Sequence, residues 1–270
     1  YIIMAILGFS LLIIVHELGH FIMAKVNGIK VEEFSIGMGP EIFSKKGKET
    51  QYSLRLFPIG GYVKMLGEEE VSDDERSFSS KSPLRRITVI LAGVTMNIIF
   101  AIVAFSIIIS NRGYTEARIS KLEPNTPAIE SGLQVGDKIL AIDGSRVFTT
   151  TDVSMGIQLS KGKTVDLLVN RNGKKENIKV TPRLVDKDGT QVYQVGFYYT
   201  PVENPTVLES IKESFNETIS LVTQTYKGLK MMVTGKVNFK TDVGGPVTII
   251  KMSGQAAKNG LMTLTYFLGF

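Results

Sequence analysis

The stretch YIIMAILGFSLLIIVHELGHFIMA, residues 1–24, decides the fold. A helix of this length is long enough to cross about 30 Å of hydrocarbon. Its only charged or imidazole side chains are His16, Glu17 and His20. Ionisable groups at membrane depth are costly and are usually retained because they act. The spacing supplies the action. Helical positions four apart share a face, so His16 and His20 can both offer a ring nitrogen to one zinc ion, with Glu17 beside a water that the metal would activate. The plain alternative is a signal anchor that ends in polar residues. A removable signal peptide is disfavoured, because the stretch lacks a basic start and a small-residue cleavage pattern.

A chain of 270 residues that is 43% hydrophobic accommodates a membrane core together with a soluble portion. It contains no cysteine, so metal ligands must be imidazole or carboxylate. The net charge of +5 is dispersed among acidic residues, which argues against a nucleic-acid partner. A second apolar run, ITVILAGVTMNIIFAIVAFSIIIS at residues 87–110, is also long enough to span the lipid bilayer. Lys25 and Lys30 follow the first span, and Lys81, Arg85 and Arg86 precede the second. The positive-inside rule therefore puts the intervening loop in the cytoplasm and the portion after residue 110 outside.

Residues 25–86 carry short alternating runs broken by Gly37, Gly39-Pro40, Gly47 and Gly60-Gly61, the pattern of hairpins. The run Gly61-Tyr62-Val63-Lys64-Met65 is apolar with one charge. Its strand edge could take an extended peptide by backbone pairing, or the sheet could simply cover the helix end. In the second span Gly93, Asn97 and Ala101 fall on one stripe; Asn97 either holds substrate backbone or serves helix packing. Residues 115–185 alternate as strands, with Val165, Leu167 and Val169 rising to an Asn172-Gly173 turn, and predict a compact module of the size of a peptide-binding domain. Over 204–236 the apolar residues recur every three or four positions from Leu208 to Val233, predicting an amphipathic helix that lies on the outer membrane surface or packs on the module. Residues 237–270 read as a linker, broken at Gly244-Gly245-Pro246, and the start of another membrane helix at Leu261.

The His16–His20 word, Gly61 to Met65, the Ala92-Gly93 to Asn97 stripe, Leu133-Gln134-Val135-Gly136-Asp137 and Gly244-Gly245-Pro246-Val247 occur in order along almost the whole chain. Together they resemble the site-2 protease family of intramembrane zinc metalloproteases, in particular its bacterial RseP and RasP branch with a single PDZ domain. The resemblance implies an integral membrane α-helical core, a membrane-associated and reentrant β-hairpin sheet beside the active site, and an inserted soluble α+β PDZ-like domain on the extracytoplasmic side of the bacterial cytoplasmic membrane. It implies Zn2+ held by His16 and His20, Glu17 as catalytic base, and Asn97 touching substrate. The substrates it implies are single-span transmembrane proteins, such as anti-sigma factors or remnant signal peptides, cut within the membrane, with their extracytoplasmic segments meeting a carboxylate-binding loop near Tyr114 to Ile119. Family members carry a third zinc ligand in a Leu-Asp-Gly motif, which is absent here. The expectation is that this aspartate lies beyond Phe270 and that the sequence is trimmed at both ends. Two rivals are a membrane-anchored PDZ adaptor with a structural metal and a transporter subunit. A carboxylate placed for water activation speaks against the first, and two spans without an internal repeat against the second.

Overall fold

The computed structural model describes residues 2–70, 72–187, 189–234, 252–256 and 258–269. Of the predicted linker and helix start over 237–270, the stretch 237–251, with its Gly244-Gly245-Pro246-Val247 break, lies outside them. Two compact units divide the chain, Tyr1–Ala104 with Lys240–Phe270, and Phe105–Phe239.

The first unit opens with α1 (Ile2–Val26), continues through β1 (Val31–Lys46) and β2 (Gln51–Met65), and takes in most of α2 (Pro83–Arg112). Both long helices keep apolar side chains on the outside: Leu7, Leu11 and Leu18 on α1, Ile90, Val94 and Ile98 on α2. That surface suits hydrocarbon. The two helices meet through Gly19, where a Cβ would stand 2.8 Å from the Ala92 carbonyl carbon. A short helix, Leu261–Gly269, packs its Leu268 on Gly8 of α1.

β1 and β2 each fold back on themselves. Residues 33–36 pair twice, with 51–54 on one side and 61–64 on the other, while 41–46 pair with 51–55. Across the sheet the order is therefore 41–46, 51–55, 33–36, 61–65, and among the described residues 61–65 is an edge. The doubling requires sharp bends at Gly37, Gly39 and Gly60, whose φ values of 84, 85 and 92° suit glycine alone. The root of the sheet is anchored by Val31, Phe34, Val63 and Met65 packed with Ala24 and Val89. Its far end exposes Ile42, Phe43, Leu56, Phe57 and Ile59.

In the second unit a sheet of order β10-β3-β4-β6-β7 is built from β3 (Tyr114–Leu122), β4 (Lys138–Ile142), β6 (Val165–Arg171), β7 (Lys174–Val180) and β10 (Phe197–Val202). A two-residue strand β5 (Ser145–Arg146) pairs with β4, and β8 (Arg183–Lys187) with β9 (Thr190–Gln194) forms a separate hairpin. The helices are α3 (Pro127–Glu130) and α4 (Thr150–Leu159). Alternate strand residues Ile139, Leu167, Val169 and Val180 bury themselves against Val153 of α4. Asp137 has no exposed surface and is clasped by Arg171, Nε to Oδ1 at 2.8 Å and Nη2 to Oδ2 at 2.7 Å. The sheet runs beyond residue 185, where the sequence pattern ends, because β10 returns to pair with β3.

A capping box of Thr206 and Glu209 starts α5 (Val207–Val233). Its inward face is not the apolar one. Ser210, Ser214, Thr218 and Ser220 are buried, whereas Leu208, Phe215, Val222, Tyr226 and Val233 point outward. The small hydroxyls pack closely because they are satisfied locally or across the interface: Ser210 and Thr218 donate to the carbonyls of Thr206 and Ser214, and Ser220 donates to Asp152 of α4 at 2.7 Å.

Candidate metal centre

His16 and His20 lie one helical turn apart on α1, and their Nε2 atoms approach to 3.1 Å. Both point at Gly93 of α2, where an added Cβ would stand 2.5 Å from each Nε2. The missing side chain leaves a cradle on which two imidazole nitrogens converge. Each ring is also held from behind. His20 Nδ1 is 2.8 Å from the Val89 carbonyl oxygen, and His16 Nδ1 is 3.2 Å from Asn97 Nδ2. Val89, Gly93 and Asn97 are four residues apart in turn, so α2 presents them on one face to the histidine pair.

These residues fit a zinc ion. The donors are borderline-soft nitrogens, the void lies between them, and the Val89 carbonyl fixes the His20 tautomer with its Nε2 lone pair free. Among the described residues no cluster of three His, Asp or Glu side chains is placed to hold one metal.

Glu17 sits beside the strand edge. Its Cγ would be 3.6 Å from a Cβ at Gly61. Tyr62, Val63, Lys64 and Met65 border a cavity of about 810 Å³ that Glu68 also lines. Thus the structure brings His16, Glu17, His20, Asn97 and Gly61 to Met65 together in one unit. Glu68, which the sequence places in a merely acidic loop, faces the same cavity as the strand edge. Its only sequence signal is its position three residues after the edge strand.

In the second unit, the expected loop near Tyr114 to Ile119 is instead strand, flanked by β10 and β4. Among the described residues no strand pairs with the other side of β10. There a groove of about 130 Å³ runs between α4 and β10, lined by Ser154, Ile157, Gln158, Phe197 and Tyr199. Burial pushes the Tyr199 phenol up to about 12, so it stays protonated. Gly196, at a φ of 93°, immediately precedes β10, and a Cβ there would strike Thr126.

An apolar helix with a His-Glu-x-x-His word facing a void is the pattern of a membrane-embedded metallopeptidase. The profile described as Peptidase family M50 matches residues 4–270, and the chain belongs to that family. CPE1693 of Clostridium perfringens (strain 13 / Type A) is 53% identical over 100% of this chain and 80% of its own length. CA_C1796 of Clostridium acetobutylicum is 44% identical over 100% and 78%. Both carry "zinc metalloprotease" in their names. Zinc metalloprotease RasP of Geobacillus kaustophilus (strain HTA426) is 29% identical over 96% of this chain and 80% of its own. The PDZ domain of an SdrC-like protein from Listeria innocua covers 31% of this chain and 92% of that domain, at 22% identity and a TM-score of 0.28. The chain is a zinc-dependent metalloprotease and a membrane protein.

Proposed function

We propose that this protease cuts single-span proteins inside the bacterial cytoplasmic membrane, with His16 and His20 as zinc ligands and Glu17 as general base. The observation that carries the reading is the convergence of both Nε2 atoms on the Gly93 void of a lipid-facing helix pair. Zinc, when bound, supplies Lewis-acid polarisation of the scissile carbonyl and acidifies water. Glu17 takes the proton of the attacking water as the carbon–oxygen bond forms, then delivers it to the departing amine as the carbon–nitrogen bond breaks. A transmembrane helix hides its backbone in its own hydrogen bonds, so the scissile segment must unwind. The edge at Gly61 to Met65, unpaired among the described residues and with Glu17 beside it, offers the released amides new partners, and Asn97 offers its amide.

The PDZ-like module, on the extracytoplasmic side, would take the outer segment of a substrate as an added strand in the groove beside β10, admitting proteins already trimmed there. The outward apolar stripe of α5 would lie on the outer membrane surface. Glu17→Gln tests the reading. The variant is expected to keep zinc and lose cleavage of a reconstituted single-span substrate by a factor of about 10² to 10⁴. Cleavage at the wild-type rate would end the assignment.

A further inference from the structure

We infer that the first unit carries a binding site for an anionic phospholipid, with one acyl chain seated in an apolar groove between α1 and the β1–β2 sheet and the phosphate at Lys45. The site requires only that the chain is embedded in a membrane, and it stands or falls apart from the zinc assignment.

The groove follows from the register of the sheet. Cross-strand partners share a face, and two rows of partners cross three strands: Phe34, Tyr52 and Lys45 in one, Ile36, Leu54 and Phe43 in the next. One step along each strand lies the other face, where Arg55 donates to Glu33 and Ser35. The sheet is therefore apolar on one side, and that side faces Leu18 and Phe21 of α1 across a cavity of about 450 Å³. Phe21 closes it by edge contacts with Phe34 and Tyr52, at ring separations of 5.3 and 6.2 Å. Leu18 continues the exposed stripe of Leu7, Leu11 and Ile22, so the groove opens to hydrocarbon.

Size and charge select the occupant. A methylene is close in size to water, whose share of liquid volume is about 30 Å³, so the cavity holds roughly fifteen of them, one acyl chain. A helix about 10–12 Å across would fill the same volume with about three residues, less than one turn. Near the end of α1, Lys25 donates to Glu49 and Thr50, which sets the turn after β1 level with the end of the hydrophobic helix. A Cβ at Gly47 in that turn would stand 3.3 Å from the Tyr52 ring, at the mouth of the groove. Glu49 is taken by Lys25 and Arg76, whereas among the described residues Lys45, Lys46 and Lys48 pair with no carboxylate. Lys45 lines the groove with its stem, which leaves its ammonium for the polar boundary. A zwitterionic lipid would fill the groove and leave these cations uncompensated; a lipid with a net negative head group neutralises them.

The test exploits a sequence without tryptophan. Phe43→Trp puts a single fluorophore in the groove wall, and Val94→Trp puts one on the exposed face of α2, where lipid is met at random. Each whole chain is placed in phosphatidylcholine nanodiscs with a rising fraction of lipid whose brominated acyl chains quench fluorescence, on either phosphatidylglycerol or phosphatidylcholine. In Phe43→Trp, half-maximal quenching is expected at a phosphatidylglycerol fraction at least about 5-fold below that for phosphatidylcholine, the worth of one lysine at an anionic surface. In Val94→Trp the two lipids should quench alike, and Lys45→Gln added to Phe43→Trp should cut the preference by about 5-fold. Leu54→Trp, in the same row, gives the same reading should Phe43→Trp fail to reconstitute. Equal quenching by both lipids in the groove overturns the site, as does an equal preference in Val94→Trp, which would assign it to the whole surface. Absence of quenching by either lipid overturns it too, because another segment of this chain, a substrate helix or a second copy then fills the groove. A preference undiminished by Lys45→Gln overturns the place of the phosphate.

Discussion

Gly93→Ala addresses the cradle directly. The new Cβ would lie 2.5 Å from Nε2 of both His16 and His20 and 2.6 Å from His16 Cε1. Non-bonded carbon contacts settle at about 3.5 Å or more, so the rings must retreat by roughly 1 Å. Zinc–nitrogen bonds are about 2.0–2.1 Å long, and a site tolerates departures of only about 0.2 Å. One imidazole is therefore lost to the metal. A fall in zinc affinity of at least about 100-fold is expected, which corresponds to about 2.8 kcal/mol. Chelator competition on the nanodisc-embedded chain measures it, with helical circular dichroism to confirm that the fold persists. Gly228→Ala is the control, because nothing lies within 4 Å of a Cβ there. Lying within α5, it should gain roughly 0.5–1 kcal/mol of stability and leave zinc untouched. A Gly93→Ala protein that binds zinc within threefold of wild type would refute the cradle.

Other outcomes follow from the same geometry. At Gly19 an added methyl meets the Ala92 backbone, which no rotamer change relieves, so Gly19→Ala should cost about 1–3 kcal/mol in the melting of the membrane helices; an unchanged melt would mean that α1 and α2 do not meet there. Arg171→Met strands the buried Asp137 carboxylate and should destabilise the second unit by about 3–5 kcal/mol in denaturant unfolding followed by tyrosine circular dichroism. Burial pushes the Asp137 carboxyl up, but hydrogen bonds from Arg171 and the Gln134 N–H outweigh it and hold the group below its ordinary value. A depressed folded value means stability that is full above the unfolded pKa of about 4 and lost as pH falls through the folded one. Wild type should show that acid loss, and Arg171→Met should lack it.

The first helix was legible because one uncharged run of sufficient length carries three ionisable groups at a spacing that only a helix makes useful. Hairpins were legible from alternation and glycine. Their doubled pairing was not, since residues 33–36 acquire two neighbours only through bends at Gly37 and Gly60 that have no hydropathy signal. Periodicity located α5 but could not tell which face turns inward; tertiary packing chose the serines, because small side chains with locally satisfied hydroxyls allow a closer fit than the apolar stripe. Strand β10 has no local signal, because Phe197-Tyr198-Tyr199-Thr200-Pro201 lacks clear alternation and pairs with a partner some eighty positions earlier. At the site, the His-Glu-x-x-His word declared itself locally. The roles of Val89 and Gly93 did not, since a backbone carbonyl and an absent side chain become visible only when two helices are placed together.

Zinc-edge X-ray absorption on the zinc-loaded chain tests the central claim most directly. The expected result is a shell that includes two imidazole nitrogens at about 2.0–2.1 Å in wild type, with the zinc lost in the His16→Ala/His20→Ala double variant. An unchanged zinc content and an unchanged nitrogen shell in that variant would contradict it.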